Sequence, residues 1–185
     1  DIFQFEELTN PGCDMASLQS MTEGTFLKGH EQGILDTANN YNVNAYYIVA
    51  RIIQEQGANG SALVSGESGY YNAFNIGASG NTTADIIANG LAYAQKKGWT
   101  TLEASISGGI SFVADNYIKQ GQNTLYLQKF NVTTNSGGPY NHQYQQNIMA
   151  AQSEGNTLRR TYEDINSTSS SHTFIIPVYK NMPSE

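Results

Sequence analysis

The sequence predicts one mainly α domain with a single small lobe rich in glycine and serine. Three observations carry that expectation. Apolar residues recur at helical spacing in several windows; positions 45, 48, 49, 52 and 53, for example, form one stripe. The windows are punctuated by residues suited to helix ends, with Asn44 before that stripe and Gly57, Gly98 and Gly121 after successive ones. Between Ala58 and Gly80 the helical period vanishes, and Gly and Ser interleave with Tyr70, Tyr71 and Phe74. A length of 185 residues suits one domain with a sizeable core.

Taken in order, residues 1–28 carry scattered apolar groups without a firm period (Ile2, Phe3, Phe5, Leu8, Leu18, Met21, Phe26, Leu27). They are expected to form an N-terminal arm packed on a domain spanning 29–183. Residues 30–41 read as a helix with Ile34, Leu35 and Ala38 inward, and residues 44–57 as the next. Residues 58–80 form a loop or short hairpin lobe. Residues 82–97 are helical and stopped by Gly98. Thr100-Thr101-Leu102-Glu103 has capping-box spacing and opens a helix with Leu102, Ile106, Ile110 and Val113 inside, ending near Gly121. Asn123 is placed to cap a short helix holding Leu125, Leu127 and Phe130. Residues 131–140 are a Gly- and Thr-rich loop, and 142–165 form one or two helices with Gly155 as the candidate break. Residues 167–171 read as a low-complexity linker, and 173–179 as a strand that Pro177 confines to an edge. There is no internal repeat.

Glu55 is the residue that points to chemistry. It follows Ile52 by three positions and Ile48 by seven, so it sits beside the apolar stripe at the C-terminal end of its helix. Partial burial and the negative end of the helix dipole both favour its protonated form. A carboxylic acid kept protonated near neutral pH is the proton donor that glycosidic cleavage requires. The same position also suits a glutamate chosen only for helix propensity.

Composition narrows the rest. Charged residues make up 14% of the chain, and twelve Tyr and seven Phe accompany one Trp, a balance suited to a neutral polyhydroxylated ligand. A net charge of −7 without clustered Lys or Arg argues against a nucleic-acid partner. Cys13 is the only cysteine, so a disulfide framework and a thiolate metal site are excluded. His30, His142 and His172 show no ligand spacing, and no metal or other cofactor is expected. The Gly-x-Ser-x-Gly elbow, phosphate loops and dinucleotide fingerprints are absent. No apolar run is long enough to span a membrane. The start at Asp1, with neither Met nor a basic segment, reads as an excised domain or mature fragment.

Glu55 at a helix end, the Gly/Ser-rich lobe, and then Tyr70-Tyr71-Asn72-Ala73-Phe74-Asn75-Ile76-Gly77-Ala78 resemble glycoside hydrolase family 73, and most closely the catalytic domains of clostridial and bacillus autolysins. Three later stretches agree, in the same order: residues 123–132, 140–148 and 174–183. The resemblance covers roughly residues 30–183. It implies a lysozyme-like fold and endo-acting cleavage of the β-1,4 bond on the reducing side of N-acetylglucosamine in bacterial peptidoglycan. By position it carries the general-acid role to Glu55. It places Phe74 and Asn75 on the groove floor, with Tyr126, Tyr140 and Tyr144 on the later segments of the groove. Tyr70 and Tyr71, in the Gly-rich lobe, are candidates for stacking on pyranose rings. The resemblance further implies a secreted protein of the bacterial cell wall, acting as a monomer in autolysis or cell separation, with wall-binding domains elsewhere in a longer chain.

A second catalytic group is harder to place. Glu103 is explained by its cap, Asp85 by a first helical turn, and Asp115 lies far along a helix. Glu67, between Gly66 and Ser68 in the lobe, is the candidate that could face Glu55. Alternatively, the N-acetyl carbonyl of the substrate attacks its own anomeric carbon, with a Tyr hydroxyl steadying the charge. A muramidase or lytic transglycosylase on the same fold, a non-catalytic glycan-binding module and a helical interaction domain are the rival readings.

Overall fold

A computed structural model of the chain describes residues 1–134, 137–144, 147–165 and 172–181. Seven α-helices are found among them: α1 (Met15–Thr22), α2 (Glu31–Tyr41), α3 (Ala45–Gln56), α4 (Thr83–Lys97), α5 (Leu102–Asn116), α6 (Leu125–Phe130) and α7 (Ala150–Asp164). Short 3-10 turns lie at Ile2–Phe5 and Ile118–Gln120. No helix among the described residues is long and apolar enough to cross a membrane.

Helix α3 runs through the centre. Residues 45–52 are all buried, and α1, α2 and α7 pack around it. The side-chain oxygen of Asn44 caps it by accepting from the backbone of Tyr46 and Tyr47 at 3.0 and 3.2 Å. The amide nitrogen of the same residue, which is fully buried, donates to the Tyr162 hydroxyl on α7 at 2.8 Å, so the cap also locks two helices together. The helix stops at Gly57, whose φ of +74° suits glycine.

The lobe of residues 58–80 takes the loop form rather than the hairpin; it is a succession of turns without a β-ladder. Buried Asn72 holds it, donating to the carbonyls of Ile76 and Gly90 at 2.8 Å each and accepting from the Ile76 backbone at 3.0 Å. The Ala73 backbone donates to the Ser105 hydroxyl of α5 at 2.7 Å. Gly109 of α5 leaves room for Phe74, since a Cβ there would overlap the ring.

Several expectations are corrected. The N-cap of α5 is Thr101, not Thr100, and Glu103 pairs with His30 at 2.9 Å. The capping box is instead at Thr82 and Asp85, opening α4. Thr124, not Asn123, caps α6. Residues 142–144 and 147–149 are not helical, and Gly155 lies inside α7 without breaking it. Its reason is packing: a Cβ there would stand 2.6 Å from the Gln4 backbone nitrogen. The segment 173–179 makes only a single antiparallel bridge, Phe174 with Glu6, in place of a strand. The linker at 167–171 lies outside the described residues.

Residues 1–28 put Leu8, Leu18 and Leu27 fully inside the common core. The Ile2–Phe5 turn packs on α7 and α6, and Glu6 meets His172 at 2.7 Å.

Two outcomes follow from this packing. Gly109→Ala is expected to destabilise the protein by about 1–3 kcal/mol or more through the clash with Phe74, measurable by urea unfolding. The Glu31 carboxylate supplies the second. Burial favours its neutral form, but the Thr22 hydroxyl and Gly29 N–H outweigh burial and hold its pKa below the ordinary 4.5. Its contribution is therefore present above the ordinary value and lost as pH falls through the lowered one. The stability gap between wild type and Glu31→Gln should be open at pH 7 and close as acid is added; a gap independent of pH refutes this.

Candidate active site

The last turn of α3 presents Glu55 with 21% of its side chain exposed. Its two oxygens are held from different elements. Oε2 accepts from the Asn75 amide at 2.9 Å, and the same amide nitrogen donates to the Glu55 backbone carbonyl at 3.1 Å. Oε1 accepts from the Tyr144 hydroxyl at 3.3 Å. Asn75 sits at φ +53°, in the left-handed region that asparagine tolerates better than most residues. Its orientation is set by Gln56, whose amide nitrogen donates to the Asn75 side-chain oxygen at 2.6 Å and to the Asn72 and Ala73 carbonyls at 3.0 and 3.2 Å. The Ser61 hydroxyl donates to the remaining Gln56 oxygen.

A second layer lies one helical turn back. Arg51 is buried at 7% exposure, with Nη2 3.9 Å from Glu55 Oε1 and Nη1 3.7 Å from Glu154 on α7. Nη1 also donates to the Tyr47 hydroxyl at 2.9 Å. Burial works against the guanidinium charge, but Tyr47, Tyr144, Glu154 and Glu55 more than offset it, so its pKa is raised. Burial pushes the Tyr47 hydroxyl up as well. The guanidinium carbon lies 4.3 Å from the Tyr144 ring centre.

Tyr144 continues into an aromatic wall. Tyr117 meets it edge-on at 5.7 Å, and His142 stacks on Tyr117 at 4.6 Å. Fully buried Gln122 fixes the histidine: its amide donates to the carbonyls of Leu127 and His142, so its oxygen accepts and His142 Nδ1 is the donor across 2.9 Å. A cleft of about 240 Å³ opens here, lined by Asp115, Asn116, Gln120 and His142. A larger groove of about 500 Å³ lies between α1, α3 and α7, but α3 contributes Ala50, Ile53 and Gln54 to it rather than Glu55.

Of the residues singled out from sequence, the structure brings Glu55, Asn75 and Tyr144 together. Glu67 lies exposed in a turn of the lobe, its backbone donating to the Ser65 hydroxyl, and no hydrogen bond among the described residues links it to Glu55. Tyr70 is half-buried, and Tyr71 packs on the core. Phe74 is turned inward, at 4% exposure, beneath the loop it was expected to surface. Tyr126 bonds to the Tyr179 hydroxyl at 2.7 Å, with its ring between Phe5 and Phe130, and Tyr140 stands 70% exposed. Sequence reasoning passed over Arg51, Gln56 and Glu154. Arg51 had a legible signal, a cation four residues before the glutamate on the same face. Gln56 and Glu154 had none.

The helical fold and the helix-end glutamate facing an irregular lobe define a domain of the lysozyme-like class. No family model matches the chain. It is 31% identical over 198 residues to the bifunctional autolysin of Staphylococcus epidermidis, aligning 96% of this chain. The chain spans only 14% of that relative's length. Among solved structures it superposes on a major bifunctional autolysin with TM-score 0.72 and 29% identity, covering 97% of this chain and 74% of the other. Autolysin E of Staphylococcus aureus, in complex with the muropeptide NAM-L-Ala-D-iGlu, superposes with TM-score 0.77 at 23% identity, over 97% and 79% of the two chains. A catalytic glutamate-to-alanine mutant of autolysin E, in complex with the disaccharide NAG-NAM, gives TM-score 0.72 at 23% identity, over 90% and 74%. The chain is homologous to the glucosaminidase domain of the staphylococcal bifunctional autolysins.

The Asn75 contacts make their own prediction. Asn75→Ala loses the bonds to Glu55 and Gln56 and also forces alanine into a left-handed conformation, so it should cost about 2–3 kcal/mol in urea unfolding. Asn75→Gly removes the same bonds without the backbone strain and should cost about 1 kcal/mol less. Equal losses would assign the whole effect to the side chain.

Proposed function

We propose that the domain hydrolyses the glycan strands of bacterial peptidoglycan, cutting the β-1,4 bond between N-acetylglucosamine and N-acetylmuramic acid from within the strand. The observation that carries this reading is the Glu55 carboxyl, partly sheltered at a helix end and held on separate oxygens by Asn75 and Tyr144. The homology to bifunctional autolysins supports it, as does the catalytic glutamate of autolysin E, whose mutant was solved with NAG-NAM.

Glu55 acts as general acid. Its proton passes to the glycosidic oxygen as the bond to the anomeric carbon breaks. The carboxylate left behind is met by three groups already in place: the Asn75 amide, the Tyr144 hydroxyl and the Arg51 guanidinium. Acetamido assistance is the preferred second half. The other carboxylate beside Glu55, Glu154, is engaged with Arg51, and Glu67 is exposed in the lobe. The N-acetyl oxygen attacks the anomeric carbon from the opposite face to give a cyclic oxazolinium. Water then opens this ring, giving up its proton to the Glu55 carboxylate. Tyr70 and Tyr140 offer ring faces to the sugars, and Phe74 supports the loop from below. The protein works at the cell wall, in autolysis or cell separation, and the modest size of this region relative to its relatives supports further wall-binding domains in a longer chain.

The test is digestion of purified peptidoglycan by wild type, Glu55→Gln and Glu67→Gln, with borohydride reduction and mass spectrometry of the products. Wild type should release fragments ending in reduced N-acetylglucosamine, Glu55→Gln should be slower by roughly 10²–10⁴-fold, and Glu67→Gln should match wild type. A loss in Glu67→Gln as large as that in Glu55→Gln returns the second role to Glu67. Ends in reduced N-acetylmuramic acid or an anhydro sugar would identify a muramidase or transglycosylase. Binding without release would leave a glycan-binding module.

A further inference from the structure

Beyond facing the Glu55 carboxylate, Arg51 has surroundings that are unusual for a structural ion pair. A guanidinium moved from water into a protein interior costs several kcal/mol unless its donors are met in good geometry. Here the partners are distant or shared: Glu154 at 3.7 Å, Glu55 at 3.9 Å and the Tyr47 hydroxyl at 2.9 Å. Arg51 Nε is buried with no hydrogen-bond partner among the described residues. A bidentate fork to either carboxylate would be the stronger arrangement. Instead the guanidinium lies against the face of Tyr144, the residue whose hydroxyl meets Glu55.

Tyr144 lies on a segment that is neither helix nor strand, tied back by its own backbone bond to the Gln128 carbonyl at 2.8 Å and by the side-chain amide of Gln143, which donates to the Phe130 carbonyl at 3.2 Å. Its ring is placed by Arg51 on one side and Tyr117 on another.

We propose that Arg51 is a positioning residue for the hydrolysis, holding the Tyr144 ring so that its hydroxyl stays on Glu55, while Glu154 restrains the guanidinium from closing a full ion pair with the acid. This rests on the function proposed above. Before proton transfer Glu55 is a neutral carboxyl, and the cation lies at nearly equal distance from it and from the Glu154 carboxylate, so Glu55 is not clamped. After transfer Glu55 becomes the better partner, and the attraction appears when negative charge does. Among the described residues, the charged and titratable groups facing this point are Tyr47, Arg51 and Glu55 from α3, Glu154 from α7, and Tyr144 and Tyr117 from the wall.

The experiment compares Arg51→Lys, Glu154→Gln, Tyr144→Phe, and Arg51→Met combined with Glu154→Gln, the last keeping volume without stranding a buried carboxylate. Each is checked for folding by circular dichroism. Turnover on soluble glycan strands is measured across pH, and 3-fluorotyrosine incorporation reports the Tyr144 ring by ¹⁹F NMR, its signal identified by its loss in Tyr144→Phe. Arg51→Lys keeps the charge but not the planar face; kcat should fall roughly 10–100-fold, with KM changed by less than about twofold. The Tyr144 resonance should shift or broaden, and Tyr144→Phe should cost less in the Arg51→Lys background than alone. Glu154→Gln should free Arg51 to clamp Glu55 and move the alkaline limb of the pH–rate profile to lower pH. Folded Arg51 variants with unchanged kcat, an unchanged Tyr144 resonance and additive effects overturn the proposal. If wild type and Glu55→Gln are equally inactive, the proposed function falls; the Tyr144 resonance then still decides whether Arg51 holds the ring.

Discussion

The site depends on one side-chain amide. Asn75 belongs to a lobe of turns, and Glu55 to the end of the central helix, and Asn75 joins them through both of its polar atoms: its nitrogen gives to Glu55 and its oxygen takes from Gln56. The exchange is directional, because Gln56 nitrogen is committed as a donor by two further carbonyls of the lobe. Neither amide can flip without losing several bonds at once. A loop without a β-ladder thereby acquires a fixed position relative to a carboxylate, which loops seldom achieve through backbone contacts alone.

That arrangement needs a rigid helix beneath it. Almost every side chain of α3 is buried, so the helix cannot rotate without disturbing α1, α2 and α7 together. Asn44 and Gln56 work at opposite ends of the helix in similar fashion, each a buried amide that spans from α3 to another element. Buried amides are costly when unsatisfied, and for that reason a satisfied one specifies register more sharply than an apolar contact does. Glycines on the surrounding helices complete the fit: Gly109 admits Phe74 beneath the lobe, and Gly155 lets the N-terminal turn sit directly on α7.

Most of the helices were legible because their apolar stripes and end signals are local. Glu55 was legible for the same reason, through its place beside the stripe of residues 45–53. Asn75 and Tyr144 came from the family resemblance, and the structure has them meeting the glutamate on separate oxygens. What was not legible is non-local. Gly155 looks like a helix breaker in sequence and is instead a contact surface for Gln4, some 150 residues away in the chain. Phe74 is placed on the groove floor by the resemblance, yet Gly109 on another helix gives its ring a place inside. Residues 173–179 have strand composition, but a strand needs a partner along its length, and only Glu6 pairs with it. Gln56 and Glu154 carry ordinary helix-forming side chains whose importance comes wholly from what folding brings opposite them.

The layering of charge around Glu55 follows from a general requirement. A group that must give up a proton cannot face a full counter-charge beforehand, since the attraction would be spent before the transition state. A group left wholly unpaired would be stranded as a charged carboxylate afterwards. A cation shared between the acid and a second carboxylate meets both demands. Its distances to the two, 3.9 and 3.7 Å, leave it committed to neither. The aromatic ring laid against its face reduces its exposure to water without neutralising it. On this view the acid's environment cannot be reduced to its own burial: the electrostatics reside in a side chain one turn back, held in reserve by a helix from the other end of the chain.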